Sequence, residues 1–196
     1  MTSSNTNEIC GIVLAGGRSS RLGRDKARVM IDGRTLLERT LDLVKEFCPT
    51  TFCVGRDIRA QGIKDSWMMD DIPGMGPMGG IITALKNLDR PCLVLACDLP
   101  RMKPHIIREL IRCRNTFGFT QHMTTYYRRQ TGFIEALVSV YEPRSLDLLE
   151  DAAGRNCYQL SRAVPYKYRY HIEYGPDQEE YFFNVNYPHD LDKLGA

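Results

Sequence analysis

Two short apolar runs constrain the fold of this chain more than any other feature, "ICGIVLA" (9–15) and "PCLVLACD" (91–98), with "TTFCVG" (50–55) reading as a further strand between them. A strand buried on both faces reads as an unbroken hydrophobic run, whereas a half-solvated strand alternates. Between these runs the period changes. In "TLLERTLDLVKEF" (35–47), Leu36, Leu37, Thr40, Leu41, Val44 and Phe47 fall on one helical face, and Thr35 with Glu38 has the capping-box spacing. "MGGIITALKNL" (78–88) turns Ile81, Ile82, Leu85 and Leu88 inward, and "KPHIIRELIRCR" (103–114) opens with Pro104 in a first turn. "SWMMDD" (66–71) supplies a further strand. Strands alternating with helices of about a dozen residues predict βαβ units and a mostly parallel sheet with helices on both faces.

The last third is less regular. "FIEALVSVY" (133–141) reads as a strand and "PRSLDLLEDA" (143–152) as a helix. "VPYKYRYHIEY" (164–174) alternates throughout, which predicts one half-solvated strand with Val164, Tyr166, Tyr168, Tyr170, Ile172 and Tyr174 inward and Lys167, Arg169, His171 and Glu173 outward. A short helix from Pro188 ends the chain. Among 196 residues this makes a single domain over 8–196 behind a polar tail, 1–7.

Composition narrows the function. The net charge is only +2, so any basic site is local and the molecule as a whole is no polyanion binder. The aromatic and basic residues of 164–174 could stack RNA, but a strand packed by its aromatics explains them more simply, and no nucleic acid is expected. No apolar run reaches the ~18 residues of a membrane span, and "MTSSNTNEIC" lacks the pattern of a signal peptide. The seven cysteines form no CxxC pair, which fits reduced thiols in a cytoplasmic protein. The four histidines lack metal-ligand spacing, and there is no nucleophile elbow.

In an open α/β sheet, ligands bind beyond the carboxyl ends of the strands. The first run ends in Gly16 and Gly17, and five cations (Arg18, Arg21, Arg24, Lys26, Arg28) crowd the next eleven positions with one carboxylate, Asp25. Glycines there let backbone N–H groups face phosphate oxygens, and Arg21 and Lys26 add charge-assisted bonds. The competing reading is a solvated basic turn. Asp98 ends the run 91–98, where a carboxylate either holds Mg²⁺ or caps the following turn. "DDIPGMGPMGG" (70–80) contains a formal GxGxxG at Gly74, Gly76 and Gly79, but it does not follow the first strand as a dinucleotide fingerprint should, so a tight loop into a helix N-terminus is the better reading.

Together these segments resemble a known family. "LAGGRSSRLGRDK", "DDIPGMGPMGGI", "VLACDLP" and "FFNVNYPHDL" are similar, in order, to the signature blocks of the molybdenum cofactor guanylyltransferases, within the larger nucleotidyltransferase group. The resemblance implies a Rossmann-like three-layer sandwich of the nucleotide-diphospho-sugar-transferase type. It implies Mg²⁺-dependent transfer of GMP from GTP to the phosphate of molybdopterin carrying molybdenum, with release of pyrophosphate. It also implies molybdenum cofactor delivery proteins and molybdoenzymes as further partners. By the same resemblance, Leu14, Ala15, Gly16 and Gly17 contact the nucleotide, Arg21 and Lys26 hold the triphosphate, and Asp71 with Gly76 and Pro77 holds and selects the guanine nucleotide. Asp98 would bind Mg²⁺, and Asn184 and Asn186 would lie near the reacting phosphates and the pterin. Three alternatives stand beside this: a cytidylyltransferase on a related phosphorylated acceptor, an NAD-dependent dehydrogenase, and a non-catalytic carrier. Val54-Gly55-Arg56 departs from the family, whose members often carry an asparagine after the second strand.

Overall fold

In a computed structural model of the chain, residues 8–16, 25–72 and 74–194 are described. The elements run β1 (Cys10–Leu14), β2 (Met30–Ile31), β3 (Arg34–Thr35), α1 (Leu36–Lys45), β4 (Thr51–Val54), β5 (Ser66–Met68), α2 (Pro77–Leu88), β6 (Cys92–Ala96), α3 (Pro104–Cys113), β7 (Met123–Arg128), β8 (Phe133–Tyr141), α4 (Ser145–Gly154), α5 (Leu160–Ala163), β9 (Arg169–Tyr174) and α6 (Pro188–Asp192). A seven-stranded sheet has the order β5-β4-β1-β6-β8-β7-β9. Strands β5, β4, β1 and β6 pair in parallel, β8 pairs antiparallel with β6 and β7, and β9 runs parallel to β7. The apolar runs 9–15 and 91–98 therefore lie side by side as β1 and β6 with β4 beyond β1, where both faces are covered and hydrophobicity is needed.

Helices close both faces. Leu37, Leu41 and Val44 of α1, with Ile106, Ile107 and Leu110 of α3, pack on Val13, Leu93 and Leu95. On the other face, Ile81, Ile82 and Leu85 of α2 and Leu149 and Ala152 of α4 pack on Ile12, Val94 and Tyr141. Burying each large aliphatic side chain contributes roughly 1.5–3 kcal/mol. Helix α1 starts where the capping pattern places it: Thr35 Oγ1 accepts from the Glu38 backbone N–H at 3.2 Å, and the Thr35 N–H donates to Glu38 Oε2 at 2.8 Å. A third, smaller core joins distant parts of the chain: Val29, Ile31 and Leu36 meet Val185 and Leu191 beside the site.

The structure corrects the reading of 164–174. Pro165 precedes a 3-10 turn at Tyr166–Tyr168, and the strand begins only at Arg169. Tyr166 is 65% exposed rather than inward. Lys167 and Glu173 are exposed as expected, but Arg169 and His171 are half-buried: Arg169 Nε donates to the Val164 carbonyl, its terminal nitrogen to that of Ser161, and His171 lies between Tyr127 and Tyr166. A helix, α5, covers that side, so the alternation records two aromatic packings. Strand β7 was absent from the sequence expectation. It lies between β8 and β9 with its first four residues buried, yet Thr124 and Thr125 are polar, so it lacks the apolar run that marks β1 and β6.

Candidate active site

The carboxyl ends of β4, β1 and β6, with the turn after β5, line a cleft of about 650 Å³. Strand β1 has β4 on one side and β6 on the other, the crossing point where open α/β sheets bind ligands. The strand ends are pinned to one another past the sheet: Ala15 N–H donates to the Val54 carbonyl at 3.0 Å, Gly55 N–H to that of Met68 at 3.0 Å, and Cys97 N–H to that of Leu14 at 3.2 Å. The floor is backbone against backbone. A methyl added at Gly55, whose φ is +94°, would lie 2.8 Å from Gly16 Cα. Only glycine suits that conformation and that approach.

Lys26 stands at one wall. Asp25 caps its short helical turn by accepting from the Ala27 N–H at 3.1 Å, and the other Asp25 oxygen takes Arg56 at 2.8 Å from the end of β4. Lys26 Nζ then donates to Asp98 Oδ2 at 2.9 Å and to Asn186 Oδ1 at 2.6 Å, joining residues from three distant segments. The third is carried in by the small core: Val185 is buried, its N–H donates to the Asp98 carbonyl at 3.0 Å, and its neighbours Asn184 and Asn186 lie on either side of it. Asp190 Oδ2 accepts from the Asn186 and Tyr187 N–H groups, each at 2.9 Å, which fixes this segment and holds the Asp190 carboxyl below its ordinary pKa. Asp98 Oδ1 is buried with no hydrogen-bond partner among the described residues.

Of the residues expected from sequence, Leu14, Ala15, Gly16, Lys26, Gly76, Pro77 and Asp98 line this cleft. Asn186 joins it through Lys26. Asn184 lies instead on an adjoining cavity of about 830 Å³ that shares Pro77 and Leu137 as walls. Gly17 and Arg21, like Arg18 and Arg24, lie outside the described residues. Asp71 does not line the cleft; its N–H donates to Thr83 Oγ1 at 2.9 Å, tying the turn to α2. Its neighbour Asp70 does line it. Burial, and then the adjacent Asp71, push the Asp70 carboxyl above its ordinary pKa, and its Oδ1 has no partner among the described residues. Asp70 sits against Gly16, Gly55 and Gly80, and a methyl at Gly80 would meet its Oδ1 at 3.2 Å. Strand alternation carried past Met68 signals it: Asp70 follows Met68 by two and keeps to the α2 side.

The set is suited to polyanion chemistry. It offers a cation, two carboxylates with open oxygens and a glycine-lined floor. Cys97 lines the cleft too, but burial pushes its thiol up to about 12, so it is no nucleophile. Among the described residues no helix is long and apolar enough to cross a membrane.

Known proteins resemble this chain over most of its length. The MobA-like NTP transferase domain matches residues 11–166. A molybdenum cofactor guanylyltransferase of Pseudomonas entomophila is 34% identical over 80% of this chain and 85% of its own length. A protein of Thermococcus kodakarensis described as a probable molybdenum cofactor guanylyltransferase is 31% identical over 94% of this chain and 92% of its own. The chain spans only 43% of a molybdenum cofactor biosynthesis bifunctional protein of Synechocystis, at 33% identity over 75% of this chain. The crystal structure of molybdopterin-guanine dinucleotide biosynthesis protein A from Archaeoglobus fulgidus superposes with a TM-score of 0.77 over 94% of this chain and 95% of that one, at 24% identity, which shows the shared fold. The chain belongs to the MobA-like NTP transferase family and is a nucleotidyltransferase.

Proposed function

We propose that this MobA-like NTP transferase moves GMP from GTP to the terminal phosphate of molybdopterin in the cytoplasm, forming the guanine dinucleotide and releasing pyrophosphate. The observation that carries the reading is the Lys26 ammonium held between Asp98 and Asn186 at the switch point of the sheet. The names of the relatives at over 30% identity supply the acceptor and the base. An oxygen of the acceptor phosphate attacks the α-phosphorus, and the bond to the bridging oxygen of pyrophosphate breaks. No enzyme nucleophile is required. The task is to align two anions that repel each other and to offset charge on the leaving group, by position and electrostatics.

The residues divide that task. The backbone at Ala15 and Gly16 lies against the nucleotide. Lys26, positioned by Asn186, neutralises the phosphates. Asp98 fits Mg²⁺: a buried carboxylate oxygen with no partner among the described residues suits an ion that takes one or two carboxylates and fills its shell with phosphate and water oxygens. Bound there, Mg²⁺ would polarise phosphoryl oxygens and offset charge on the pyrophosphate. Asp70, which lines the cleft where Asp71 does not, selects the base. Its open oxygen accepts from the N1–H and 2-amino donors of guanine, a pair that cytosine lacks.

Pyrophosphate release in the presence of molybdopterin, with each of four nucleoside triphosphates in turn, tests the proposal. GTP should give the fastest release, and EDTA should abolish it until Mg²⁺ is restored. Release from CTP equal to or above that from GTP overturns the base assignment, and none from any nucleotide overturns transfer. Lys26→Ala and Asp98→Ala should each lower turnover at least ~100-fold, the scale of losing one preorganised electrostatic contact. Near-normal rates in both would place the chemistry elsewhere.

A further inference from the structure

Strand β8 carries a large irregularity beside the active site. Thr125 of β7 faces Ser139, and Tyr127 faces Ile134, so two steps on β7 oppose five on β8. Three extra residues bulge out between Ile134 and Ser139. The bulge is closed by side chains rather than left loose. The Ser139 hydroxyl donates to the Glu135 carbonyl at 2.7 Å, the Thr125 hydroxyl to the same carbonyl at 3.2 Å, and the buried Tyr141 hydroxyl to the Ala136 carbonyl at 3.0 Å. Such irregularities re-aim side chains next to sites. Here the bulge turns Glu135 and Leu137 towards the second cavity, and Leu137 is also a wall of the nucleotide cleft.

Within that cavity Glu135 is held in one orientation. The hydroxyl of buried Tyr174 donates to Glu135 Oε1 at 2.5 Å, while Oε2 takes no donor among the described residues. Two aromatic rings stand exposed on the cavity wall, Phe133 at 59% and Tyr158 at 40%. Asn184 lines the same space, two residues before the Asn186 that touches Lys26. A carboxylate oxygen without a donor, flanked by exposed aromatics and joined to the phosphate-holding cleft, suits one chemical class: a flat heterocycle with adjacent N–H donors on its edge.

We propose that the second cavity receives the ring system of the acceptor, and that Glu135, presented by the β8 bulge and oriented by Tyr174, is the residue that recognises its amino-pyrimidinone edge. This rests on the transferase reading above. The shared wall of Pro77 and Leu137 would then lead from the ring to Lys26 and Asp98, where the acceptor's phosphate must arrive.

The test compares pterin with lumazine, which carries an oxo group where pterin has its 2-amino group. Each is titrated into wild-type protein and Glu135→Gln, following ligand fluorescence. Wild type should favour pterin by at least ~10-fold. Glu135→Gln should bind pterin roughly 10- to 100-fold more weakly, the scale of bonds to a charged group, and lose the preference. Its KM for GTP should stay within about twofold. Tyr174→Phe, which keeps the ring but frees the carboxylate, should weaken the preference without abolishing it. Equal affinity of wild type for the two ligands overturns the proposal, even if Glu135→Gln fails to fold. So does a folded Glu135→Gln that keeps the preference. The titrations need no turnover, so failure of pyrophosphate release would count against the transferase reading alone.

Discussion

At the scale of single residues, the pair Asp70-Asp71 shows how narrowly sequence position separates two roles. Both aspartates follow β5, yet Asp70 lines the cleft while Asp71 is exposed and ties to α2 only through its backbone N–H. The cleft-lining one is half-buried, and its buried Oδ1 has no partner among the described residues, an arrangement that costs stability. The sign follows from protonation. Burial raises the Asp70 pKa, so over the window between its ordinary and raised values the native state holds the proton more tightly than the unfolded chain does. Stability falls as pH rises through that window, and the deficit persists at neutral pH. Asp70→Asn should therefore melt above wild type at pH 7, with the gain vanishing below the ordinary carboxylate range. Each kcal/mol reads as roughly 2–4 °C at this chain length. Calorimetry at both pH values checks it, and equal Tm values at pH 7 would show that the buried carboxylate carries no such penalty. The same variant should raise the KM for GTP.

At the scale of elements, legibility followed the hydrophobic pattern. The capping box of α1 and the starts of α2 and α3 stand where the residues place them. So do β1, β4 and β6, because a strand covered on both faces has no choice but to be apolar. Strand β7 and the β8 bulge were not legible. Interior polar groups there depend on positions the local pattern does not show: the Ser139 hydroxyl lies 2.8 Å from that of Thr125, Thr124 Oγ1 is buried with no partner among the described residues, and just past β8 the buried Glu142 pairs with Arg114 at 2.6 and 2.9 Å. Such residues look like surface until their partners are known. The contact between Gly16 and Gly55 belongs to this scale, since it sets how closely β1 and β4 end together. Gly55→Ala combines a left-handed backbone with a methyl 2.8 Å from Gly16 Cα and should cost about 2 kcal/mol or more, measured by urea denaturation. A cost under ~0.5 kcal/mol would mean that the cleft floor yields.

At the scale of the whole molecule, one sheet runs from β5 to β9 with helices across its length, so we expect residues 8–196 to unfold as one unit. Trp67, the chain's one tryptophan, sits in β5 at an edge of the sheet and reports that end alone. Its fluorescence and the far-UV circular dichroism should give coincident urea transitions. Separate midpoints would show that the β8-β7-β9 side unfolds independently.

The sequence by itself determined the parallel half of the sheet, its flanking helices, and the loops where a ligand must bind, because apolar periodicity and glycines after strands are local signals. It also carried four blocks in family order. Only the tertiary structure decided which residues meet. Lys26 and Asn186 are 160 positions apart and touch because Val29, Ile31, Leu36, Val185 and Leu191 bury one another between them. That Glu135 faces a second cavity depends on a bulge closed by side-chain hydroxyls, that of Thr125 coming from another strand. Those are properties of packing, and no local pattern encodes them.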